Sequence, residues 1–398
     1  MAYESASDAK SDVSTARGHK ARYWHRMEDG RVQCDLCLRK CHLRPGQRGF
    51  CFVRENQGGE LVCTTYGRSS GFCVDPIEKK PLNHVTPGAA VLSFGTAGCN
   101  LACQFCQNWE ISTARDVDLL QQQASPYDIA EAAVQTGSRG VAYTYNDPII
   151  FAEYAIDTAQ ACHERGLLNI AVTAGYICEE PGKDFFAVMD AANVDLKSFN
   201  PDFYRKIVGG RLEVILDTLK YIVSETSCWL EITTLLIPGH NDSDSEIHAL
   251  VDWVASELGT GVPLHFTGFH PDNRMMDVPR TRLSTLEHAR RIALDVGLKF
   301  VYTGNVPDRE GSTTFCPGCG RGIIVRDGYA VTRYDLTVDV PQAQLAGVAG
   351  RESGDFASET PYSRPATTAH CVHCGTPIPG RWDRAVGSFG NRRIPVLL

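Results

Sequence analysis

Between residues 88 and 305 short β-rich runs alternate with longer amphipathic stretches, and this alternation limits the fold more than any other feature of the chain. The runs are AAVLSFG (89–95), GVAYTYN (140–146), LNIAVTAG (168–175), NVDLKSF (193–199), WLEITTLLIP (229–238), VPLHFTGF (262–269) and KFVYTGN (299–305). Between them, 148–166, 211–225 and 244–259 carry apolar residues at helical spacing. Asn146 or Asp147 is placed to cap the first of these helices, with Pro148 in its first turn. Asn241 or Asp242 is placed to cap the third. Strands alternating with helices build a parallel sheet with right-handed crossovers. Seven such runs fall one short of a closed (β/α)8 barrel, so an α/β fold with a partial TIM-type barrel is expected over 85–308.

A chain of 398 residues exceeds what one compact core usually absorbs, so the barrel should carry appendages. The net charge of −8 argues against a nucleic-acid partner, which would normally show a basic bias. The basic stretch from Arg17 to Lys40 fits a solvated face or a docking patch. No apolar run has the length of a membrane span, and the first residues lack the apolar core of a secretory signal. Residues 1–25 are expected to form a disordered tail, and the protein is expected in the cytoplasm. Sixteen cysteines in a reducing compartment point to metal or redox chemistry rather than to disulfides.

Those cysteines cluster in three groups: Cys34, Cys37, Cys41 and Cys51; Cys99, Cys103 and Cys106; and two CxxC pairs, Cys316/Cys319 and Cys371/Cys374. The grouping suggests a Cys-rich segment over 26–84, the barrel, and a metal-binding segment over 309–385. Residues 338–370, rich in Gly, Ser, Ala and Pro, are expected to form a mobile insertion between the two CxxC pairs. Cys162, Cys178 and Cys228 are expected to be packing residues.

The middle group lies on the loop after the first barrel strand, GTAGCNLACQFCQNWEIS (95–112), where parallel α/β folds place their sites. Three thiolates can hold three irons of a [4Fe–4S] cube and leave the fourth open to a small molecule, whereas a structural zinc site keeps no such vacancy. The competing reading is a zinc site completed by His84 or a distant cysteine. CNLACQFC (99–106) resembles the signature of radical S-adenosylmethionine (SAM) enzymes. In that family SAM chelates the open iron, and one electron splits it into methionine and a 5′-deoxyadenosyl radical that abstracts hydrogen.

The resemblance extends over roughly residues 30–305 through DPIEKKPLNH (75–84), YTYNDPIIFAEY (143–154), VDLKSFNPDFYRKIVGG (194–210), EITTLLIPGHNDS (231–243) and FTGFHPDNRMMDVPRT (266–281). These segments are similar to the AmmeMemoRadiSam system radical SAM enzymes, relatives of the pyruvate formate-lyase activating enzymes. The resemblance implies a SAM pocket built from strand ends. Asn146 and Asp147 stand where relatives carry a GGEP-type motif that contacts the SAM amino group, although this chain has no glycine pair there and Asp replaces Glu. Asp195 and Lys197 form a DLK segment, His270 resembles a histidine near the ribose, and Gly175 sits at a strand end where the backbone could approach a ligand. A low-potential donor such as flavodoxin or ferredoxin is implied, together with association with Memo-like and AMMECR-type proteins.

At the chain ends the chemistry stays open. Cys316, Cys319, Cys371 and Cys374 fit a zinc ribbon or a rubredoxin-like iron site. Cys34, Cys37, Cys41 and Cys51 fit zinc or a second iron–sulfur cluster. The function expected is reductive SAM cleavage with hydrogen abstraction from an unidentified substrate. The alternatives are installation of a glycyl radical on a partner protein and a metal-holding interaction scaffold without catalysis.

Overall fold

The computed structural model describes residues 18–115, 122–338, 365–384 and 386–398. Its centre is a sheet containing seven parallel strands, each pairing with the next in chain order. They are β2 (Ala90–Gly95), β3 (Gly140–Tyr143), β4 (Leu168–Thr173), β5 (Ala191–Asp195), β6 (Trp229–Leu236), β7 (Leu264–Gly268) and β8 (Val301–Gly304). Their positions follow the seven apolar runs, because a strand buried on both faces is recognisable as a short continuous apolar stretch.

The sheet does not close. Beyond β2 it continues antiparallel through β1 (Gly71–Pro76) and then the C-terminal strand Ile394–Val396, so β8 and that terminal strand are its two edges. Neither antiparallel strand is foreshadowed by the alternation pattern, since neither is followed by a crossover helix. The architecture is the expected α/β partial barrel.

Helices fill the crossovers. Pro126–Gln135 starts in a capping box, with Ser125 and Asp128 each satisfying the other's backbone N–H. Asp147 caps the turn Pro148–Phe151 that opens Ala152–His163, accepting from Ile149 N at 3.1 Å. Helix Asp244–Trp253 is capped by Ser243, not by Asn241 or Asp242. Asn241 instead ties its own loop to β5, accepting from Ile237 N and donating to the carbonyl oxygens of Lys197 and Leu235. Helix Leu283–Val296 stops at Gly297, whose φ of +109° is a left-handed turn that a Cβ would strain.

The appendages are Cys-rich as expected, but their limits differ. Residues 19–26, assigned mostly to a disordered tail, include two short strands: His19–Lys20 pairs with Glu60–Cys63, and Trp24–Arg26 pairs with Val32–Cys34. Residues 1–17 lie outside the described residues. The expected insertion 338–370 also lies mostly outside them, at 339–364, while Ala366–Cys371 is a sheet strand.

The C-terminal segment forms two three-stranded antiparallel sheets. It covers the amino ends of the barrel strands. Trp382 and Phe300 pack around His84, and Arg139, at the entrance to β3, pairs with Asp383 at 2.8 Å. The opposite, carboxyl ends carry the three-cysteine loop.

Candidate radical SAM site

The loop after β2 is held from several sides. Asn146, just past β3, accepts from Thr96 N at 2.9 Å and donates to Thr96 Oγ1 at 3.1 Å and Gly98 O at 2.9 Å. Ala102 N and Gln104 N donate to Val208 O and Ile207 O. Asn273 Nδ2 reaches Cys103 O at 3.2 Å, and Arg274 N reaches Gln104 O at 2.9 Å. Phe105 is buried against Phe203. A loop fixed by so many backbone contacts holds its cysteines in place before any metal arrives.

Cys99, Cys103 and Cys106 are half-buried. Burial pushes the thiols of Cys99 and Cys103 up, to about 11 for Cys103, where the Lys197 ammonium opposes the rise. Buried thiols of this kind stay protonated at neutral pH unless a metal displaces the proton. One zinc ion, with Zn–S bonds of ~2.3 Å, would draw its sulfurs to within ~4 Å of one another. These three are not gathered in that way; among the described residues the one group of three or more candidate ligands within 4.8 Å is Cys316, Cys319, Cys371 and Cys374. His84 is excluded as a fourth ligand of the loop. It is fully buried at the other end of the barrel, its ring nitrogens 2.7 Å from Tyr302 Oη and 2.8 Å from Pro379 O.

The remaining expected residues gather at the same strand ends. Lys197 Nζ lies 2.7 Å from Asp195 Oδ2. Burial disfavours the Lys197 ammonium, but Asp195 and Cys103 outweigh it, so the amine is held firmly charged. Asp147 is buried and accepts from Ile149 N, Thr173 Oγ1 at 2.8 Å and Ala174 N at 2.9 Å. Burial raises its pKa, and these donors work against the rise. Both oxygens are thus engaged in joining the ends of β3 and β4. Gly175 has φ +66°, as a turn requires, and its carbonyl accepts from Thr218 Oγ1. His270 follows β7, its Nδ1 3.3 Å from Pro271 O, and it is close in sequence to the Asn273 and Arg274 contacts on the cysteine loop.

At the C-terminal group Cys316 and Cys374 sulfurs are 3.5 Å apart and Cys319 and Cys371 sulfurs 3.9 Å, the spacing of ligands around one ion. The Thr376 hydroxyl and amide hold the Cys374 thiol low, at about 6, ready to bind as thiolate.

Some participants escaped the reading of the sequence. Asn100 Nδ2 donates to Tyr176 O at 2.8 Å, and Asn273 and Arg274 clamp the loop from β7. Asp75 on β1 accepts from Lys79 at 2.9 Å, Lys80 at 2.7 Å and Tyr145 Oη at 2.7 Å. The segment DPIEKKPLNH carried that signal, but only as a resemblance; its contacts depend on the unforeseen strand β1.

The sequence model of the Radical SAM superfamily matches residues 94–254. An uncharacterized protein of Methanocaldococcus jannaschii is 39% identical over 328 residues, covering 82% of this chain and 97% of that protein. The pyruvate formate-lyase 1-activating enzyme of Escherichia coli K12 is 23% identical over 236 residues, covering 54% of this chain and 93% of the enzyme. A probable GTP 3′,8-cyclase of Methanosarcina acetivorans is 24% identical over 317 residues, covering 73% of this chain and 90% of that protein. The matched segment begins in β2, runs through the cysteine loop and contains Asn146, Asp147, Gly175, Asp195 and Lys197, and on these grounds the chain carries a radical SAM domain.

Proposed function

We propose that the protein cleaves SAM reductively at a [4Fe–4S] cluster held by Cys99, Cys103 and Cys106, and uses the result to abstract hydrogen from a substrate. The observation that carries this reading is the thiol tripod itself, fixed on the loop after β2 at the carboxyl ends of a parallel sheet. The cluster, when bound, supplies the electron that splits the sulfonium into methionine and a 5′-deoxyadenosyl radical.

The chain's own residues bind and orient. Lys197 places a fixed positive charge beside Cys103, suited to the cluster's negative charge and to a SAM carboxylate. Asp195 offers its exposed side to the SAM ammonium. Asn146 and Asp147 keep the loop and the neighbouring strand ends in register, and Gly175 and His270 border the same face. A flavodoxin or ferredoxin would deliver the electron.

Motif resemblance further supports placing the chain with the AmmeMemoRadiSam system enzymes, with Memo-like and AMMECR-type proteins as functional partners. The cytoplasm is the proposed location; among the described residues no helix is long and apolar enough to cross a membrane. Likeness to an activating enzyme favours a second reading, in which the hydrogen comes from a glycine of a partner protein.

Anaerobic reconstitution, dithionite and SAM test the first claim. Methionine and 5′-deoxyadenosine should appear together and vanish in Cys103→Ala. Their absence from fully loaded wild type would leave a metal-holding scaffold. A doublet EPR signal on a co-purified protein would select the glycyl-radical reading.

A further inference from the structure

The four cysteines nearest the amino terminus line one cleft. Leu36 and Ile150 add apolar side chains to the lining formed by Cys34, Cys37, Cys41 and Cys51. All four are free thiols. Their spacing differs from that of the C-terminal group. There, sulfurs approach to 3.5 and 3.9 Å. Here, no three of the four come within 4.8 Å of one another. Within a single molecule, one set is thus arranged as for one ion and the other is more widely spaced. A cube spreads its ligands because each sulfur binds a different iron.

Backbone amides aim at these sulfurs. Phe50 N lies 3.5 Å from Cys41 Sγ. Leu36 N–H faces Cys34, Arg39 N–H faces Cys37, and Val53 and Arg54 N–H face Cys51. The amide two residues after the cysteine recurs at Cys99, where Leu101 N is 3.5 Å from Sγ, and at Cys374, faced by Thr376 N–H. Such donors stabilise sulfur that carries negative charge.

The lining also carries the charge a cluster requires. Arg39, Lys40 and Arg54 border the cleft, and Arg54 is 1% exposed. Arg54 is neutralised by Glu153, but Arg39 donates to two carbonyls, Asn100 O at 2.9 Å and Gly209 O, and stacks on Phe50. Lys40 pairs with Asp35 at 3.0 Å, so Arg39 is the cation that would compensate an anionic body in the cleft.

We propose that Cys34, Cys37, Cys41 and Cys51 hold a second iron–sulfur cluster of the cubane type, ligated by protein at every iron. With no open iron it cannot take up SAM, and its chemistry is outer-sphere: it accepts one electron from a low-potential one-electron donor and passes the same electron on, with no bond made or broken. Its location suits this. Asn100 lines the cleft and is next to Cys99, and a Cβ on Gly98 would fall 2.0 Å from Cys51 O, so the two cysteine groups share a wall.

Iron and sulfide counts on the full chain after anaerobic reconstitution test the site. The Cys99→Ala/Cys103→Ala/Cys106→Ala variant should retain about four iron and four sulfide per chain, one cubane's complement. Adding Cys34→Ser and Cys51→Ser should remove them. If the triple variant holds no more than about one iron and no sulfide per chain, or joins these four cysteines in disulfides, the proposal fails. Should the triple variant not fold, wild type decides. About eight iron, with two EPR signals of which SAM shifts one, supports the second cluster; about four iron, with a single SAM-sensitive signal, overturns it. Failure of the tripod reading is separate, because wild type and triple variant would then hold equal iron.

Discussion

Asn146 grips the backbone at Thr96 and Gly98 through both ends of one amide, accepting from Thr96 N and donating to Gly98 O at 2.9 Å each. A residue after β3 thereby sets the path of the loop after β2, where the cysteines sit. Asn146→Ala would leave buried backbone groups unpaired. Stability should fall by about 2–3 kcal/mol, and iron bound per chain should fall with it. Denaturant midpoints and iron counts read the two effects. Asn146→Asp, which retains the acceptor and loses the donor, should fall between.

Gly98 has φ +84° and stands against Cys51 O. Gly98→Ala would strain the backbone by about 1–2 kcal/mol and force the Cys51 carbonyl away. Both the tripod and the amino-terminal cysteine cleft should lose iron, because one contact positions both. Selective loss at the tripod alone would show that the shared wall does not couple them.

Lys197 favours the thiolate of Cys103. In Lys197→Met that support is gone and burial acts unopposed. The pH at which half the iron is incorporated should rise by about one unit. Lys197→Arg should restore most of it, since the charge is kept. An unchanged midpoint in Lys197→Met would dissociate Lys197 from cluster assembly.

His84 gives the amino end of the barrel a pH dependence. Burial lowers its pKa to about 4, with Glu231 opposing. The unfolded chain binds the proton near the ordinary value of about 6.5. The folded state is therefore favoured by the full amount above that value and loses the contribution as pH falls to about 4. The linkage amounts to about 3 kcal/mol. Urea midpoints between pH 7 and 4 should show the loss. His84→Phe should be less stable at pH 7, because the contacts to Tyr302 Oη and Pro379 O are lost, but flatter over that range.

Removal of the C-terminal metal should separate that segment from the barrel. Sulfurs 3.5 Å apart are spaced as ligands of one ion, and with no ion between them thiolates this close would repel. A strong chelator, or Cys316→Ser, should bring out an early unfolding transition in calorimetry while the barrel transition persists.

What was legible in the sequence was local. The seven parallel strands followed from runs of apolar residues, and Asp147 as a cap from its place before Pro148. The cysteine spacing placed three thiols on one loop, because residues three and four apart stay near one another in any tight turn. Asp195 and Lys197, two apart, lie on one face by strand alternation and do pair. Tertiary structure decided the rest. Strand β1 pairs with the C-terminal strand Ile394–Val396, more than 300 residues away in the chain. His265 Nε2 meets Glu231 Oε2 at 2.6 Å in the barrel floor, and His84 N donates to the same carboxylate. Sulfur-to-sulfur distance, which separates a site for one ion from a site for a cube, depends on how segments approach, as Gly98 does Cys51. Side-chain period and loop spacing are properties of neighbouring residues; approach between distant segments is set by packing, and no short stretch of sequence contains it.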